Sequence, residues 1–257
     1  SSCPSCSTYV RRTMGTAAIE LDRVMASEGV LAHVEEFTLT VHGGEAVALV
    51  GANRSGKGLA LKLCAGLAAP ASGSVRVLGV DPAAASDEEI LHLRRRVGFV
   101  FAKPALISSL SVYDNVAVPL RYHTELPESA IRERVMACLA ECGVDVFHDH
   151  RPAGLTMGGA RLVALARALV LDTELLCVDE ALFGLDAGEL VRFRGLLEKY
   201  RRDKGLTIVV SVNAPTSLFA LMDRLVLMRD GRLVAVCPPA EASRVDDPMV
   251  QDFFGNN

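Results

Sequence analysis

The sequence predicts an α/β protein built on a mainly parallel sheet that is covered on both faces. Two observations predict this fold class. Short, nearly continuous apolar runs, typical of buried parallel strands, alternate with segments of helical spacing. The 257 residues, 50% of them hydrophobic, also provide enough chain for one large domain with its own core.

The first half of the chain begins with predicted strands. Phe37, Leu39 and Val41 alternate with polar residues, as in a strand with one buried face. Residues 45–50 are nearly continuously apolar, as in a central strand. In chain order we expect strands at Ile19–Met25, Phe37–Val41, Glu45–Val50, Val75–Val80 and Val97–Phe101, with helices at Leu59–Leu67 and Asp87–Arg96.

Residues 105–150 have a different pattern. Pro127 precedes a segment in which Ile131, Val135 and Leu139 recur on one helical face, and no strand pattern is visible. We therefore expect a helical insertion here. After it we expect a helix capped by Thr156 and ending at Leu169, strands at Glu174–Val178 and Leu206–Ser211, a helix at Asp186–Arg201, and a hairpin of Arg224–Met228 and Arg232–Cys237 around Asp230-Gly231.

The composition restricts the partners and the compartment. A net charge of −4 and a pI of about 5.9 provide no basic field, so we expect no nucleic-acid partner. No apolar run reaches the ~18 residues that a membrane span needs, so we do not expect a membrane protein. The seven cysteines, an odd number mostly in apolar segments, indicate reduced thiols in a cytoplasmic protein.

Residues 1–16 form a Ser-rich leader that we expect to be disordered. Met14 is a candidate start, so whether residues 1–13 belong to the native protein stays open. Cys3 and Cys6 form a single C-x-x-C, which cannot complete a zinc site alone. Residues 17–257 are expected to form a single domain.

A glycine-rich loop directly follows the central strand. Residues 51–58 read Gly-Ala-Asn-Arg-Ser-Gly-Lys-Gly, and a helix is predicted after them. In that context the G-x-x-x-x-G-K pattern closes backbone N–H groups around phosphates, and Lys57 reaches the β- and γ-phosphate oxygens. Position 58 should carry a hydroxyl for Mg²⁺, which Gly58 lacks. The candidate nucleotide-binding residues are Gly51, Asn53, Ser55, Gly56, Lys57, Gly58 and Leu59.

A second candidate site lies where the apolar strand at residues 174–178 ends in two acidic residues. In a protein with such a phosphate loop, Asp179 would bind Mg²⁺ through its shell, and Glu180 would polarise an attacking water. Two acidic residues after a strand are otherwise often a solvated loop. The phosphate loop upstream favours the functional interpretation, with Glu180 as the candidate catalytic residue.

The segment between these sites resembles a known family. Leu155-Thr-Met-Gly-Gly159, followed by Val163–Leu169, is similar to the L-S-G-G-Q signature of ABC-transporter ATPases, and Phe183–Asp186 resembles their D-loop. The resemblance covers residues 17–254. It implies a P-loop NTPase fold with a RecA-like core, an antiparallel β-subdomain and a helical subdomain at about residues 105–165. It also implies a dimer in which nucleotide is bound between the phosphate loop of one subunit and the signature of the other.

Two further segments resemble the Mla/MCE branch of this family, namely residues 111–127 and the ending at residues 247–255. That branch powers phospholipid movement across the Gram-negative envelope. It implies an integral-membrane permease, an MCE-domain protein in the same complex, and a peripheral position on the cytoplasmic face of the inner membrane. Residues 111–127 lie where such subunits receive the permease; generic helical packing is the alternative explanation.

The signature can be placed in two registers. Residues 163–169 fix the helix, and counting back from them puts Met157 on the first signature glycine and Gly159 on the usual glutamine. The alternative takes Gly158 and Gly159 as the glycine pair and turns the helix face by ~100°. We prefer the first register. The candidate signature residues are Thr156, Met157, Gly158 and Gly159, and Asp186 is the D-loop residue.

Several positions depart from the family pattern. Ala102 stands at the Q-loop glutamine and Val212 at the switch histidine, and neither side chain can hydrogen-bond. An adenine-stacking aromatic is missing around Ala26 or Glu28. With Gly58 and Met157, these changes predict weak ATP binding, doubtful Mg²⁺ binding, an impaired Glu180, and weak or lost hydrolysis.

Three questions about function stay open at this stage. The partner ATPase subunit can be a second copy or a different chain. A non-catalytic scaffold that holds a permease is the alternative function. A soluble ABC-type protein of DNA repair or translation is disfavoured, because tandem domains and basic surfaces are not seen in the sequence.

Overall fold

The computed structural model describes residues 15–29 and 32–255. Residues 1–14, which make up most of the expected leader, lie outside the described residues. Thr16 is placed, and its carbonyl accepts a hydrogen bond from the Gly43 N–H at 3.1 Å. The described residues include no helix with the length and apolar character needed to cross a bilayer.

The described elements alternate between strands and helices. The strands are β1 (Ala17–Glu28), β2 (Ala32–His42), β3 (Ala46–Val50), β4 (Ser72–Val77), β5 (Val97–Val100), β6 (Leu175–Val178), β7 (Thr207–Val212), β8 (Arg224–Arg229) and β9 (Arg232–Cys237). The helices are α1 (Lys57–Cys64), α2 (Asp87–Arg96), α3 (Val112–His123), α4 (Glu128–Cys142), α5 (Met157–Leu169), α6 (Ala187–Lys204) and α7 (Pro248–Gly255). Short 3₁₀ segments lie at Asp145–Phe147, Pro152–Gly154, Ser217–Leu221 and Pro239–Arg244.

A six-stranded sheet in the order β5-β6-β7-β3-β8-β9 forms the centre of the molecule. Its strands are parallel except for the antiparallel hairpin of β8 and β9. Strands β3, β6 and β7 are buried along their whole length, which explains their continuous apolar sequences. Ligands of such sheets bind in the crevice beyond the carboxyl ends of the strands. In this sheet, Val50 pairs with Val212 and Val178 with Val210, so the loops after these strands begin near one another.

A smaller antiparallel sheet, in the order β2-β1-β4, packs near the central sheet. Its apolar residues share a core with α1 and with one face of β3, including Ile19, Phe37, Leu49 and Leu61. This sheet corresponds to the antiparallel β-subdomain that the resemblance implied.

Helices α3, α4 and α5 lie between β5 and β6 in the chain, where the sequence predicted a helical insertion. Val116, Leu120, Ile131, Leu139 and Leu165 are buried together in their shared core. Ser111 caps α3 and Thr156 caps α5, each accepting a backbone hydrogen bond, so polar residues fix where both helices begin.

The structure moves some predicted boundaries by a few residues. Helix α1 ends at Cys64 and not at Leu67, because Gly66 has a φ of +63° that ends the helix. Strand β4 begins at Ser72 and ends at Val77, where Leu78 turns with a φ of +49°. Val80 still bonds back to Val77 across this turn.

Candidate functional site

The phosphate loop joins β3 to α1, and two of its glycines are required by geometry. A β-carbon on Gly51 would lie 2.3 Å from the Met228 carbonyl oxygen. Gly56 has a φ of +93°, and a β-carbon there would lie 2.6 Å from the His33 carbonyl oxygen. The loop is therefore packed against the neighbouring backbone in a shape that only glycine permits at these positions.

The Lys57 ammonium lies inside this loop. Its Nζ donates to the carbonyls of Gly51 at 2.8 Å and Ala52 at 2.7 Å, and to Ser55 Oγ at 3.2 Å. Burial lowers the pKa of Lys57, and the carboxylates of Asp179 and Glu180 oppose that shift. These carboxylates thus lie close enough to act on the lysine that the sequence assigned to phosphate binding.

The two predicted acidic residues follow β6 and are held by a serine. Asp179 Oδ1 accepts a hydrogen bond from Ser211 Oγ at 2.6 Å, and the same hydroxyl oxygen accepts one from the Glu180 N–H at 2.8 Å. Ser211, near the end of β7, is a functional residue that the sequence analysis missed. The available signal was a hydroxyl near the carboxyl end of a buried strand whose other polar residue, Thr207, lies at its start.

Gly58 differs from the two structural glycines. Its φ is not positive, and a β-carbon there would sit at ordinary contact distance, 3.8 Å from Asp179 Oδ2. The backbone therefore has room for a Ser or Thr hydroxyl beside the carboxylate. The missing hydroxyl at this position is not imposed by the shape of the loop.

A buried arginine beneath the acidic pair is the second residue that the sequence analysis missed. The Arg161 guanidinium is fully buried and donates to the carbonyls of Ala102 at 2.9 Å, of Asp179 and of Glu180. Its Nε has no hydrogen-bond partner among the described residues. Burial lowers the pKa of Arg161, while Asp179 and Glu180 raise it. Its place in a helix of mostly apolar residues gave a signal, because a buried charge needs partners.

Ala102 and Val212 lie at the ends of β5 and β7. Ala102 contributes its backbone carbonyl to Arg161, and its methyl group offers no donor or acceptor. Val212 is 2% exposed and belongs to the main apolar cluster. Neither side chain can contact a phosphate or a water through a hydrogen bond, as the sequence predicted.

The signature segment begins α5. Thr156 Oγ1 accepts a hydrogen bond from the Gly159 N–H at 3.0 Å and lies 3.3 Å from Glu189 Oε1. The Glu189 carboxylate covers Gly158, because a β-carbon on that glycine would lie 1.8 Å from its Oε2. Met157 is 46% exposed. A methionine and a carboxylate thus cover the start of a helix whose N–H groups would otherwise favour an anion.

Asp186 links the signature to the next helix. It caps α6 by accepting the Glu189 N–H at 2.8 Å, and its own N–H donates to Glu189 Oε2 at 2.9 Å. Glu189, which contacts both Thr156 and Asp186, was not identified from sequence. The structure brings the predicted signature and D-loop residues together through this one carboxylate.

The remaining predicted residues lie around the phosphate loop. Asn53 Oδ1 accepts a hydrogen bond from Asn213 Nδ2 at 3.4 Å, and Leu59 is 4% exposed. At the expected place of an adenine-stacking ring, Ala26 is buried, and the Glu28 carboxylate bonds to Lys62 Nζ at 2.5 Å. Neither of these two positions offers an aromatic surface.

The residues present do not fit a magnesium ion. Mg²⁺ prefers oxygen ligands in octahedral geometry. Gly58 and Ala102 supply no side-chain oxygen, and Asp179 Oδ1 already accepts the Ser211 hydroxyl.

The combination of a glycine-constrained loop, a buried lysine and an acidic pair beyond the carboxyl ends of a parallel sheet defines a P-loop nucleotide-binding fold. A family model described as "ABC transporter" matches residues 34–183. The chain belongs to the ABC transporter family and is an ATP-binding subunit of that family.

Known relatives agree with this family. The chain is 31% identical to the intermembrane phospholipid transport system ATP-binding protein MlaF of Haemophilus influenzae, over 94% of this chain and 91% of the relative. It is 34% identical to the methionine import ATP-binding protein MetN of Cereibacter sphaeroides, over 93% of this chain and 69% of the relative. The dimeric ATP-binding cassette MJ0796, solved with ADP and Pi, superposes with a TM-score of 0.80 and 25% identity, over 86% of this chain and 98% of that chain.

The family confirms the predicted fold class: a P-loop α/β core, an antiparallel sheet and a helical part. Its members bind ATP, normally with Mg²⁺, form dimers and work with membrane permeases.

The five described cysteines are buried free thiols, namely Cys64, Cys138, Cys142, Cys177 and Cys237. Cys3 and Cys6 lie outside the described residues.

Proposed function

We propose that this chain is the nucleotide-binding subunit of an MCE-type phospholipid transporter and that its own ATP hydrolysis is weak or lost. The observation that carries the proposal is the pairing of an intact phosphate loop with side chains that cannot assist the reaction. Lys57, Gly51 and Gly56 keep the loop, while Ala102 and Val212 have no polar group.

The chemistry of hydrolysis explains why these changes matter. Water attack on the γ-phosphate needs a polarising base and groups that stabilise the developing charge. Glu180 is present as the base, but the amide of a Q-loop and the imidazole of a switch residue are replaced by methyl and isopropyl groups. Loss of one polarising group commonly costs ~10²–10³ in rate, and such losses do not simply multiply.

The two composite nucleotide sites of a dimer differ in which side chains they have lost. In a dimer of this family, one composite site would combine this chain's phosphate loop with the partner's signature. The other would combine the partner's loop with Thr156–Gly159 of this chain. The first lacks the groups replaced at Gly58, Ala102 and Val212, whereas the second is altered at Met157 and has the Glu189 carboxylate over Gly158. A competent partner subunit would therefore supply one site with the catalytic side chains of its own loops, and in a homodimer neither site would be complete.

The lipid cargo is supported by the MlaF relative and by the Mla/MCE-like residues 111–127 and 247–255. The MetN relative, of similar identity, leaves amino-acid import as the competing cargo class. The proposed assembly contains a permease, an MCE-domain protein and a second ATPase subunit. The chain would lie on the cytoplasmic face of the inner membrane, held there by the permease.

Two surface features are suited to the permease contact. Helix α3 exposes Tyr122, of which 71% is accessible. A cavity of about 410 Å³ lies between α1, the loop after it and β1, and its lining combines Leu67 and Phe101 with polar residues such as Glu28 and Lys62. Exposed aromatic side chains are enriched at protein–protein interfaces. Tyr122→Glu should release a co-expressed permease during purification, and Val191→Glu, on the equally exposed Val191 of α6, should not.

The main experiment is an ATPase assay of the complex purified with its native partners. We expect no robust turnover when this chain is the complex's only ATPase subunit. Robust turnover would overturn the proposed loss of hydrolysis. Lys57→Ala serves as the control, because activity that survives it does not arise from this phosphate loop.

The alternative function is a non-catalytic scaffold that holds a permease and responds to nucleotide. A combined variant, Gly58→Thr, Ala102→Gln, Met157→Gly and Val212→His, separates the two, with folding checked by thermal unfolding. Recovered hydrolysis would indicate an ATPase that has lost catalytic side chains but has kept its fold. A folded variant that stays inactive would favour the scaffold.

A further inference from the structure

The acidic pair is balanced by two cations of the chain itself. Lys57 is 7% exposed and Arg161 is fully buried, and both interact electrostatically with Asp179 and Glu180. Two partly buried carboxylates therefore lie near two buried cations, and Arg161 contacts the pair through its backbone carbonyls. Interactions between charges are stronger there than at a solvated surface.

The two cations have different reach. Lys57 lies in the phosphate loop itself, so its ammonium can exchange its carbonyl partners for phosphate oxygens. The Arg161 guanidinium is fixed in the interior, because it already donates to three carbonyls on two separate segments. Arg161 thus acts through Asp179 and Glu180, whose negative charge it offsets where phosphates would approach.

A divalent ion would meet few of its usual ligands in the same place. The backbone at Gly58 has room for a hydroxyl 3.8 Å from Asp179 Oδ2, but none is present. Ala102 offers only its carbonyl, which Arg161 occupies. The chain's own cations offset the charge of the acidic pair, and oxygen ligands for a metal are missing. Both observations favour nucleotide binding without a divalent ion.

We infer that this chain binds a nucleoside di- or triphosphate without a divalent metal, with Lys57 and Arg161 supplying the positive charge that Mg²⁺ supplies elsewhere in the family. The inference rests on the proposed nucleotide binding and specifies the form of the ligand. Lys57 contacts the phosphates, and Arg161 is a positioning residue that lowers the repulsion between the acidic pair and the phosphates.

The test compares ATP binding to the full chain by calorimetry in excess MgCl₂ and in EDTA. We expect dissociation constants that agree within about threefold. Arg161→Gln should weaken binding by about tenfold or more in EDTA and in MgCl₂ alike, since one fixed charge is lost and the site still lacks oxygen ligands for Mg²⁺. Arg161→Lys keeps the charge and should stay nearer to the wild-type value in EDTA.

A second variant tests the missing ligand without touching the buried arginine. Gly58→Ser places a hydroxyl beside Asp179 and should tighten ATP binding in MgCl₂ but not in EDTA. Thermal unfolding without nucleotide shows whether each variant is folded. The comparison of EDTA with MgCl₂ is made on the wild-type chain and does not depend on the folding of a variant.

The outcomes separate the inference from the proposal it rests on. Wild-type binding that weakens by about tenfold or more in EDTA overturns the metal-free mode alone. So does a folded Arg161→Gln that binds in EDTA like the wild type, or a Gly58→Ser gain that is equal in EDTA and MgCl₂. Absence of ATP binding in both conditions overturns the proposed nucleotide binding as well.

Discussion

The Met157 side chain lies against Gly184, so that a β-carbon on Gly184 would come within 2.3 Å of Met157 Cγ. Gly184 also has a φ of +79°. The contact joins the first residue of α5 to the loop before α6, and it fills space beside the signature segment. The methionine is therefore part of the local packing at the position where the preferred signature register expects a glycine.

This contact makes Gly184→Ala costly for two separable reasons. We expect the free energy of unfolding to fall by ~2–3 kcal/mol, of which ~1–2 kcal/mol is backbone strain at positive φ. The rest is overlap with Met157, and the double variant Met157→Ala/Gly184→Ala should recover most of it. Urea unfolding of the single and double variants measures this coupling.

Gly205 provides the matched control for that cycle. Its φ is +66°, but a β-carbon there meets nothing within 4 Å. Gly205→Ala should therefore show the backbone cost alone, and Met157→Ala should not change it. Equal costs for Gly184→Ala and Gly205→Ala would contradict the proposed contact energy.

Ser211 is expected to stabilise the acidic segment through its hydroxyl. Ser211→Ala removes the donor to Asp179 Oδ1 and the acceptor of the Glu180 N–H. Because both partners are partly buried, we expect a loss of ~1–3 kcal/mol in the free energy of unfolding. Ser74→Ala, on the exposed face of β4, should change it by less than ~0.5 kcal/mol, and equal effects of the two variants would refute the role given to Ser211.

Most of the fold could be predicted from sequence because its signals are local. The helix from Met157 to Leu169, capped by Thr156, follows from one hydroxyl and a helical apolar period, and the structure has the same limits. The hairpin around Asp230-Gly231 follows from its turn residues, and Gly231 has the positive φ that such a turn uses. The ends of α1 and β4 were missed because the left-handed residues Gly66 and Leu78 set them.

The site was predicted in its motifs but not in its supporting contacts. Lys57 and Asp179 carry their chemistry in a recognisable spacing. Arg161, Ser211 and Glu189 act through residues that are distant in the chain, such as the 59 positions between Arg161 and Ala102. The Ser211 hydroxyl, the Arg161 charge and the capping-box spacing of Glu189 were local signals, but only the folded arrangement of β5, β6, β7 and α5 brings these side chains to their distant partners.

The Cys64 thiol makes stability sensitive to alkaline pH. Burial raises the pKa of Cys64 from an ordinary value of 9.0 to about 12. Above pH 9 the unfolded chain ionises this thiol and the folded chain does not. The contribution is therefore fully present below pH 9 and is lost as the pH rises towards about 12, by up to ~1.4 kcal/mol per pH unit.

The measurement for this thiol is the slope of unfolding free energy against pH above 9. Cys64→Ala should be less stable at neutral pH, because a buried side chain is shortened, but its slope should be shallower. Cys237→Ala is the comparison variant and should flatten the slope less, since burial raises the pKa of Cys237 only to about 11. The same slope in the wild type and in Cys64→Ala would refute the assignment.

Restoring a histidine at position 212 by itself should cost stability, because Val212 is 2% exposed among apolar residues and pairs with Val50 in the central sheet. We expect Val212→His to lower the free energy of unfolding by ~1–3 kcal/mol, since the imidazole would bring polar atoms into that cluster. Asn213→His places the same group one residue later, at an exposed position whose present side chain already reaches Asn53, and should be nearly neutral. Neither single change should restore hydrolysis, because Ala102 and Gly58 still lack their polar groups. Denaturant unfolding and an ATPase assay of both variants check these expectations, and a stable, active Val212→His chain would show that position 212 alone limits the reaction.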